Sequence, residues 1–269
     1  MRRGILTGLF ALLFVLIYRG TWVWLYQRWT APDTYYSHGF LIAPVSLYLI
    51  WRKRALLVPA VSGGAGAGYF LIAGGLLIHL MSRWAGVGFV SGLTLVPVLL
   101  GFVHVFYGSR ALRELFFPIA FLMAMVPLPL ELIARLSFSL KMLSTAWALV
   151  WLGAAGIGAV QEGSFIRMSE ASILVGDVCS GLRSLIALLA LGALVAYFLK
   201  VSWWRRAVVF LSAAPVALLV NTARIAFLCW VAEVYGESAA GGIVHDVSGV
   251  LIFASAFVLL SMVREGVAG

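Results

Sequence analysis

Ionisable residues are scarce in this sequence. Charged residues make up 11% of the 269 positions against 63% hydrophobic ones, which leaves too little polar surface to cover a globule in water. That excludes a soluble domain and reads as a polytopic membrane protein, in keeping with a mean hydropathy of +1.06. Acids are scarcer still: 10 Asp and Glu face 19 Lys and Arg, a net charge of +9. A basic chain can bind nucleic acid, but these basic residues fall in short clusters between apolar runs and not along one stripe. They are topology signals, and no nucleic-acid partner is expected. Cysteine is nearly absent. Cys179 and Cys229 cannot build a disulfide framework and match no metal-ligand spacing, so neither metal nor cofactor is implied. The glycine run from Gly63 to Gly68 lacks the Gly-Lys-Ser/Thr of a phosphate loop and reads as a small-residue helix start. With no internal repeat, linker or low-complexity tail, residues 1–269 read as a single integral membrane domain.

What the chain has in abundance is apolar runs. A bilayer core of roughly 30 Å needs about 20 helical residues. Runs at 5–26, 39–51, 66–81, 85–107, 115–130, 181–199, 207–235 and 246–263 supply about eight spans. The first begins like a signal peptide, but it continues to Tyr26 without a small-x-small cleavage site, so an uncleaved helix is expected. Arg2-Arg3, Arg52-Lys53-Arg54, Arg110 with Arg113, Lys200 with Arg205-Arg206, and Arg264 fall at alternate ends of these spans. Both termini are therefore expected in the cytoplasm.

Pro127 and Pro129 interrupt the stretch from Leu115 to Leu152, since neither carries an amide hydrogen and each crowds the preceding turn. Beyond them Leu132, Leu136, Leu140, Leu143, Trp147 and Val150 recur at helical spacing, with Glu131, Arg135 and Ser139 on another face. The pattern predicts an amphipathic helix lying at the outer interface, or else a re-entrant proline segment. From Gly156 to Val178 apolar density falls. Ser164 to Met168 is expected to pair with Ile173 and Val175 across residues 169–172, a short external hairpin before the sixth span. The fold class is thus all-α and polytopic, with one interfacial helix and one hairpin.

The chemistry-bearing residues gather at one depth. Asp177-Val178-Cys179-Ser180-Gly181-Leu182-Arg183 is a polar knot that opens the sixth span. Cys179 at this helix start is the candidate nucleophile: Ser180 is placed to N-cap the helix, and Arg183 in the first turn adds to the helix dipole in favouring a thiolate. Arg224 lies about 18 residues beyond Arg206, or roughly 27 Å up the seventh span, level with Cys179 and with His245 just ahead of the last span. An arginine within a span costs on the order of 2.5–3.5 kcal/mol, so it calls for a polar cavity or a partner; snorkelling to lipid phosphates is the plainer alternative. Asn221, one turn below, is placed to orient that guanidinium or line the same cavity. His245 is the candidate general acid and base, with His38 in the Tyr35–Gly39 loop as its rival. Asp177 has the chemistry to orient the site, whereas Asp246 is expected to point elsewhere. His79 and His104 lie in apolar runs and read as packing or interhelical hydrogen-bonding residues. Cys229 sits about 140° round the helix from Arg224 and reads as packing.

At these residues the sequence resembles the exosortase/archaeosortase family of multi-pass membrane cysteine transpeptidases. The matching pieces are Val178 to Ser184, Asn221-Thr222-Ala223-Arg224-Ile225 and His245, with Tyr36-Ser37-His38-Gly39-Phe40-Leu41 and Val126-Pro127-Leu128-Pro129 as further likenesses. The resemblance implies a catalytic set of Cys179, Arg224 and His245. It also implies substrates that are membrane-tethered proteins ending in a short motif, typically Pro-Glu-Pro in bacterial members, followed by a transmembrane helix and a basic tail. The implied reaction is cleavage through a Cys thioester and transfer to an acceptor nucleophile at the external face of the inner membrane. Two other readings stand beside it: an intramembrane cysteine protease with the same residues and water as acceptor, and an anion-binding transporter built around Arg224. For the transporter, repeated halves and broken helices are expected, and the sequence shows only the one proline break.

Overall fold

The computed structural model describes residues 2–32, 34–57, 66–176 and 180–268. Cys179 and Asp177, both singled out above, lie outside the described residues. Helices α1 (Arg2–Ile17), α2 (Arg19–Thr30), α3 (Gly39–Arg52), α4 (Gly66–Trp84), α5 (Gly88–Leu93) and α6 (Leu95–Ala120) precede α7 (Leu130–Ala154). A three-stranded sheet follows, β1 (Val160–Glu162), β2 (Phe165–Arg167) and β3 (Ser172–Leu174), then α8 (Leu182–Phe198), α9 (Trp203–Tyr235) and α10 (Gly242–Ala268). The chain divides into two compact units, Met1–Leu128 and Pro129–Gly269.

In the first unit the opening apolar run is not one helix: α1 and α2 are bent by 60° at Tyr18. Tyr18 is fully buried, its hydroxyl 2.9 Å from Thr94 Oγ1 and its ring 4.1 Å from that of His79. At the bend the Thr21 amide turns to the Tyr18 carbonyl, which leaves the Ile17 carbonyl without its helical donor. His79 supplies a hydrogen bond to that carbonyl and places Nδ1 2.9 Å from Ser91 Oγ. The Tyr18 hydroxyl, the Ile17 carbonyl and His79 Nδ1 thereby find partners, as a poorly hydrated setting requires. Glycines set the crossing of α4 and α6: a Cβ on Gly101 would come within 2.7 Å of the Gly68 carbonyl, and one on Gly75 within 2.6 Å of Val98. The two backbones approach as small-residue membrane helices do.

The runs at 85–107 and 115–130, expected as separate spans, lie on one helical stretch, Gly88–Met125. Gly108 kinks it with a left-handed φ of 80°, and a 3-10 turn, Phe121–Met125, ends it ahead of Pro127. Pro118 lacks the amide that would serve the Glu114 carbonyl. Lys53 Nζ takes that carbonyl at 2.9 Å and the Glu114 carboxylate at 2.7 Å.

In the second unit α7 leaves both expected faces exposed, Glu131, Arg135 and Ser139 as well as the leucine stripe, and buries a third. Leu132, Leu136, Leu143, Trp147 and Val150 face outward, while Ser137, Lys141, Ser144 and Thr145 are buried. Against lipid the apolar stripe is the outer one, and the small polar residues pack on α9. The expected hairpin is present as β2 and β3, with Ile166 opposite Ile173; β1 adds a third strand, Gln161 opposite Ile166. The far end of α9 and the 3-10 turn that follows it, Glu237–Ala240, grip this sheet: Glu237 Oε1 accepts from the Ser172 amide at 2.6 Å and Glu233 Oε2 from the Glu170 amide at 3.1 Å. Beneath it Ile166 and Val175 pack with Ile225, Cys229, Ala148 and Leu152.

Four described stretches are long and apolar enough to cross a membrane: Gly88–Met125, Leu130–Ala154, Trp203–Tyr235 and Glu237–Val267, or five if the bent pair α1 and α2 is one span. The helices α3 and α8, at the second and sixth expected spans, are apolar but shorter. Leu130–Ala154, expected to lie flat unless the proline segment is re-entrant, has the length and composition of a span.

Candidate active site

Arg224 sits two-thirds of the way along the 33-residue α9 and is 8% exposed. Its Nε donates to Ser248 Oγ at 3.0 Å, and Nη2 reaches both His245 Nε2 and the His245 carbonyl at 3.1 Å. Ser248 in turn donates to the same carbonyl at 2.7 Å. His245 is not ahead of the last helix but in its first turn, because α10 begins at Gly242. That position leaves its carbonyl in the first turn and sets Ser248 one turn on, facing α9. Since a guanidinium only donates, the contact defines His245 Nε2 as the acceptor and leaves the ring proton on Nδ1. Nδ1 lies 3.5 Å from Asp246 Oδ1, so Asp246, expected to point away, stands at the outer limit of hydrogen bonding from an exposed position.

The start of α8 differs from its expected form. Gly181, with φ 76°, is the N-cap residue, and Ser180 one position earlier accepts a long bond from the Leu182 amide at 3.4 Å. Only glycine takes that left-handed turn without strain. A Cβ here would also lie 2.8 Å from Asn221 Cγ. Asn221 therefore lies under the turn, and its amide donates to Ser144 Oγ on α7 at 3.1 Å. With Ser144, Ser180 and Gly181, Asn221 borders a cavity of about 10 Å³ whose lining does not include Arg224, room for one water. Arg183 follows in the first turn, and its Nε is buried without a hydrogen-bond partner among the described residues. Ser144 and Ser248 carry no signal in the sequence beyond their type. Their phase relative to Asn221 and Arg224 emerges only once α7 and α10 are packed on α9.

The rival histidine belongs to the first unit, whereas Arg224 and His245 are both in the second. His38 stacks on Tyr36, the ring centroids 5.6 Å apart, and bonds the Ala124 backbone. Burial pushes its pKa below the ordinary histidine value, only partly offset by that bond. Tyr36 accepts from the Leu128 amide at 3.2 Å, so this loop is tied to the proline segment. Cys229 is a fully buried thiol in the cluster beneath the sheet. No group of three or more His, Cys, Asp or Glu able to hold a metal occurs among the described residues.

A buried arginine hydrogen-bonded to a histidine and a serine, on helices of membrane length, defines an integral membrane protein with a polar site at helix ends. Residues 24–262 match the transmembrane exosortase family, and the chain belongs to that family. It is accordingly a sortase-like membrane enzyme whose substrates are membrane-bound proteins. No curated protein and no solved structure matches it.

Proposed function

We propose that this protein is a cysteine transpeptidase, residues 1–269 acting as one domain, that cleaves the C-terminal sorting segment of membrane-tethered proteins and passes the new carboxyl end to an acceptor amine. The observation that carries the reading is the joining of Arg224 to His245 in a chain of this family. Further support comes from the neighbours of the proposed nucleophile. Val175 packs against Ile225, and Gly181 packs against Asn221, so the chain on both sides of residues 177–179 is held to the turn of α9 that carries Arg224.

In the proposed cycle the substrate carbonyl draws the Arg224 guanidinium, and His245 Nε2 then takes the proton of the Cys179 thiol. Thiolate attack forms a tetrahedral oxyanion that Arg224 stabilises, with Arg183 and the α8 N-terminus adding positive potential. Collapse breaks the C–N bond, the leaving amine takes the proton from His245, and a thioester remains. An acceptor amine resolves it, returning its proton through His245 and restoring Cys179.

Replacing one cysteine at a time tests the assignment. Cys179→Ala is expected to leave a membrane-tethered substrate full-length in membranes. Cys229→Ala, which removes one buried sulfur at a cost of about 1 kcal/mol, is expected to retain processing. The mass of the product separates transfer from hydrolysis, and processing by Cys179→Ala but not by Cys229→Ala would overturn the nucleophile assignment.

A further inference from the structure

Two arginines outside the topology clusters meet at the bend of the first unit. Arg19 opens α2 immediately after the break at Tyr18, and Arg83 lies in the last turn of α4. Together with Gly20, Val23, Trp24 and Gln27 they line an open cleft of about 440 Å³, within the range of small-ligand sites. Neither guanidinium has a hydrogen bond or ion pair among the described residues.

The cleft is shaped by close packing. A Cβ on Gly20 would stand 2.6 Å from Arg83 Nη2, so the guanidinium lies directly across the α2 backbone and only glycine leaves room for it. A Cβ on Gly88 would stand 2.5 Å from Trp24 Cε2, so the indole is seated on α5 in the same manner. Arg83 and Trp24 thus pack against backbone at the lining of the cleft, and no described residue of the unit forms an ion pair with either arginine. Residues 1–128 contain ten Lys and Arg but two acids, Asp33 and Glu114; Asp33 lies outside the described residues, and Glu114 is taken by Lys53 at 2.7 Å. Two guanidinium forks sharing one cleft repel each other until an anion enters, and planar forks suit a tetrahedral oxyanion with several acceptor oxygens. An indole beside them is the side chain that favours the level of lipid headgroups.

We propose that the Arg19–Arg83 cleft is a binding site for a phosphate group, reached either on the headgroup of an anionic phospholipid or as free phosphate. The site is independent of the peptide-bond chemistry proposed above. Native mass spectrometry of the delipidated full-length protein, titrated with phosphatidylglycerol, tests it. The wild type is expected to retain one phosphatidylglycerol, and Arg19→Gln/Arg83→Gln to bind it at least tenfold more weakly. Arg52→Gln, a charge loss outside the cleft, should bind as the wild type does. Gly20→Leu, which keeps both charges but displaces the Arg83 fork, is expected to weaken retention alongside the double variant, and gel filtration confirms that each variant is folded. Displacement by millimolar inorganic phosphate would assign recognition to the phosphate alone. Arginine-dependent retention that phosphate does not displace would assign it to the lipid headgroup. Equal retention by the wild type and Arg19→Gln/Arg83→Gln, or retention of a phosphate-free diacylglycerol as strong as that of phosphatidylglycerol, would overturn the proposal.

Discussion

Arg224 uses different edges of its fork for different partners, Nε toward Ser248 and Nη2 toward His245. A lysine at this position keeps the charge but has one nitrogen, which cannot span both partners in that geometry. Arg224→Lys is therefore expected to insert normally and to process substrate about 10²–10³-fold more slowly, the usual cost of losing one oxyanion donor. The rate of substrate cleavage in isolated membranes measures it, and a lysine variant working near the wild-type rate would leave Arg224 an electrostatic residue. The meeting of Arg224 and His245 is legible in the sequence because depth along a helix follows from counting at about 1.5 Å per residue. Ser248 and Ser144 are not legible in this way. They act through helix phase across a packed interface, and a serine in an apolar run looks like any small residue that lets two helices approach.

Elements show the same division. The periodicity of α7 is plain in the sequence, but which face turns inward depends on whether water or lipid lies outside. With lipid outside, the leucine stripe is the exposed one and Ser144 is turned in to hold Asn221. The bend at Tyr18 is hidden for a related reason: residues 5–26 read as one apolar run with a single charge at Arg19, and the contacts of Tyr18 with His79 and Thr94 lie more than 60 residues along the chain. At the start of α8, Gly181 carries the local order, since its left-handed φ and its packing on Asn221 both exclude a side chain. Gly181→Ala is expected to cost at least about 1 kcal/mol from backbone strain alone, with the collision against Asn221 added. Asn221→Ala in the same chain removes that collision, so the double variant should be less destabilised than the two single effects added together. Thermal inactivation of the purified protein reads the coupling. Additive losses would mean that Gly181 and Asn221 do not press on each other.

For the whole molecule, the arrangement of charge and the length of α9 make one joint prediction. Arg205 and Arg206 stand in the first turn of this 33-residue helix, about 50 Å long at 1.5 Å per residue, more than the roughly 30 Å of a bilayer core. Glu233 near its other end and Glu237 just past it hold the backbone of residues 170–172. The sheet must then emerge on the side opposite Arg205-Arg206. By the positive-inside rule the basic clusters at Arg52–Arg54 and Arg110–Arg113 predict cytoplasmic ends as well. A reporter placed after Arg54, Arg113 or Arg206 should therefore report the cytoplasm, and one inserted at Ser169 the exterior. Ser169 lies in the turn between β2 and β3, next to Glu170, whose amide Glu233 holds, so an insertion there samples the face on which substrate would meet Arg224 and His245. If Ser169 reports the cytoplasm while Arg206 reports the exterior, α9 runs the other way. Cleavage of exported proteins at this site is then excluded, because their peptide bond would lie across the membrane from the arginine.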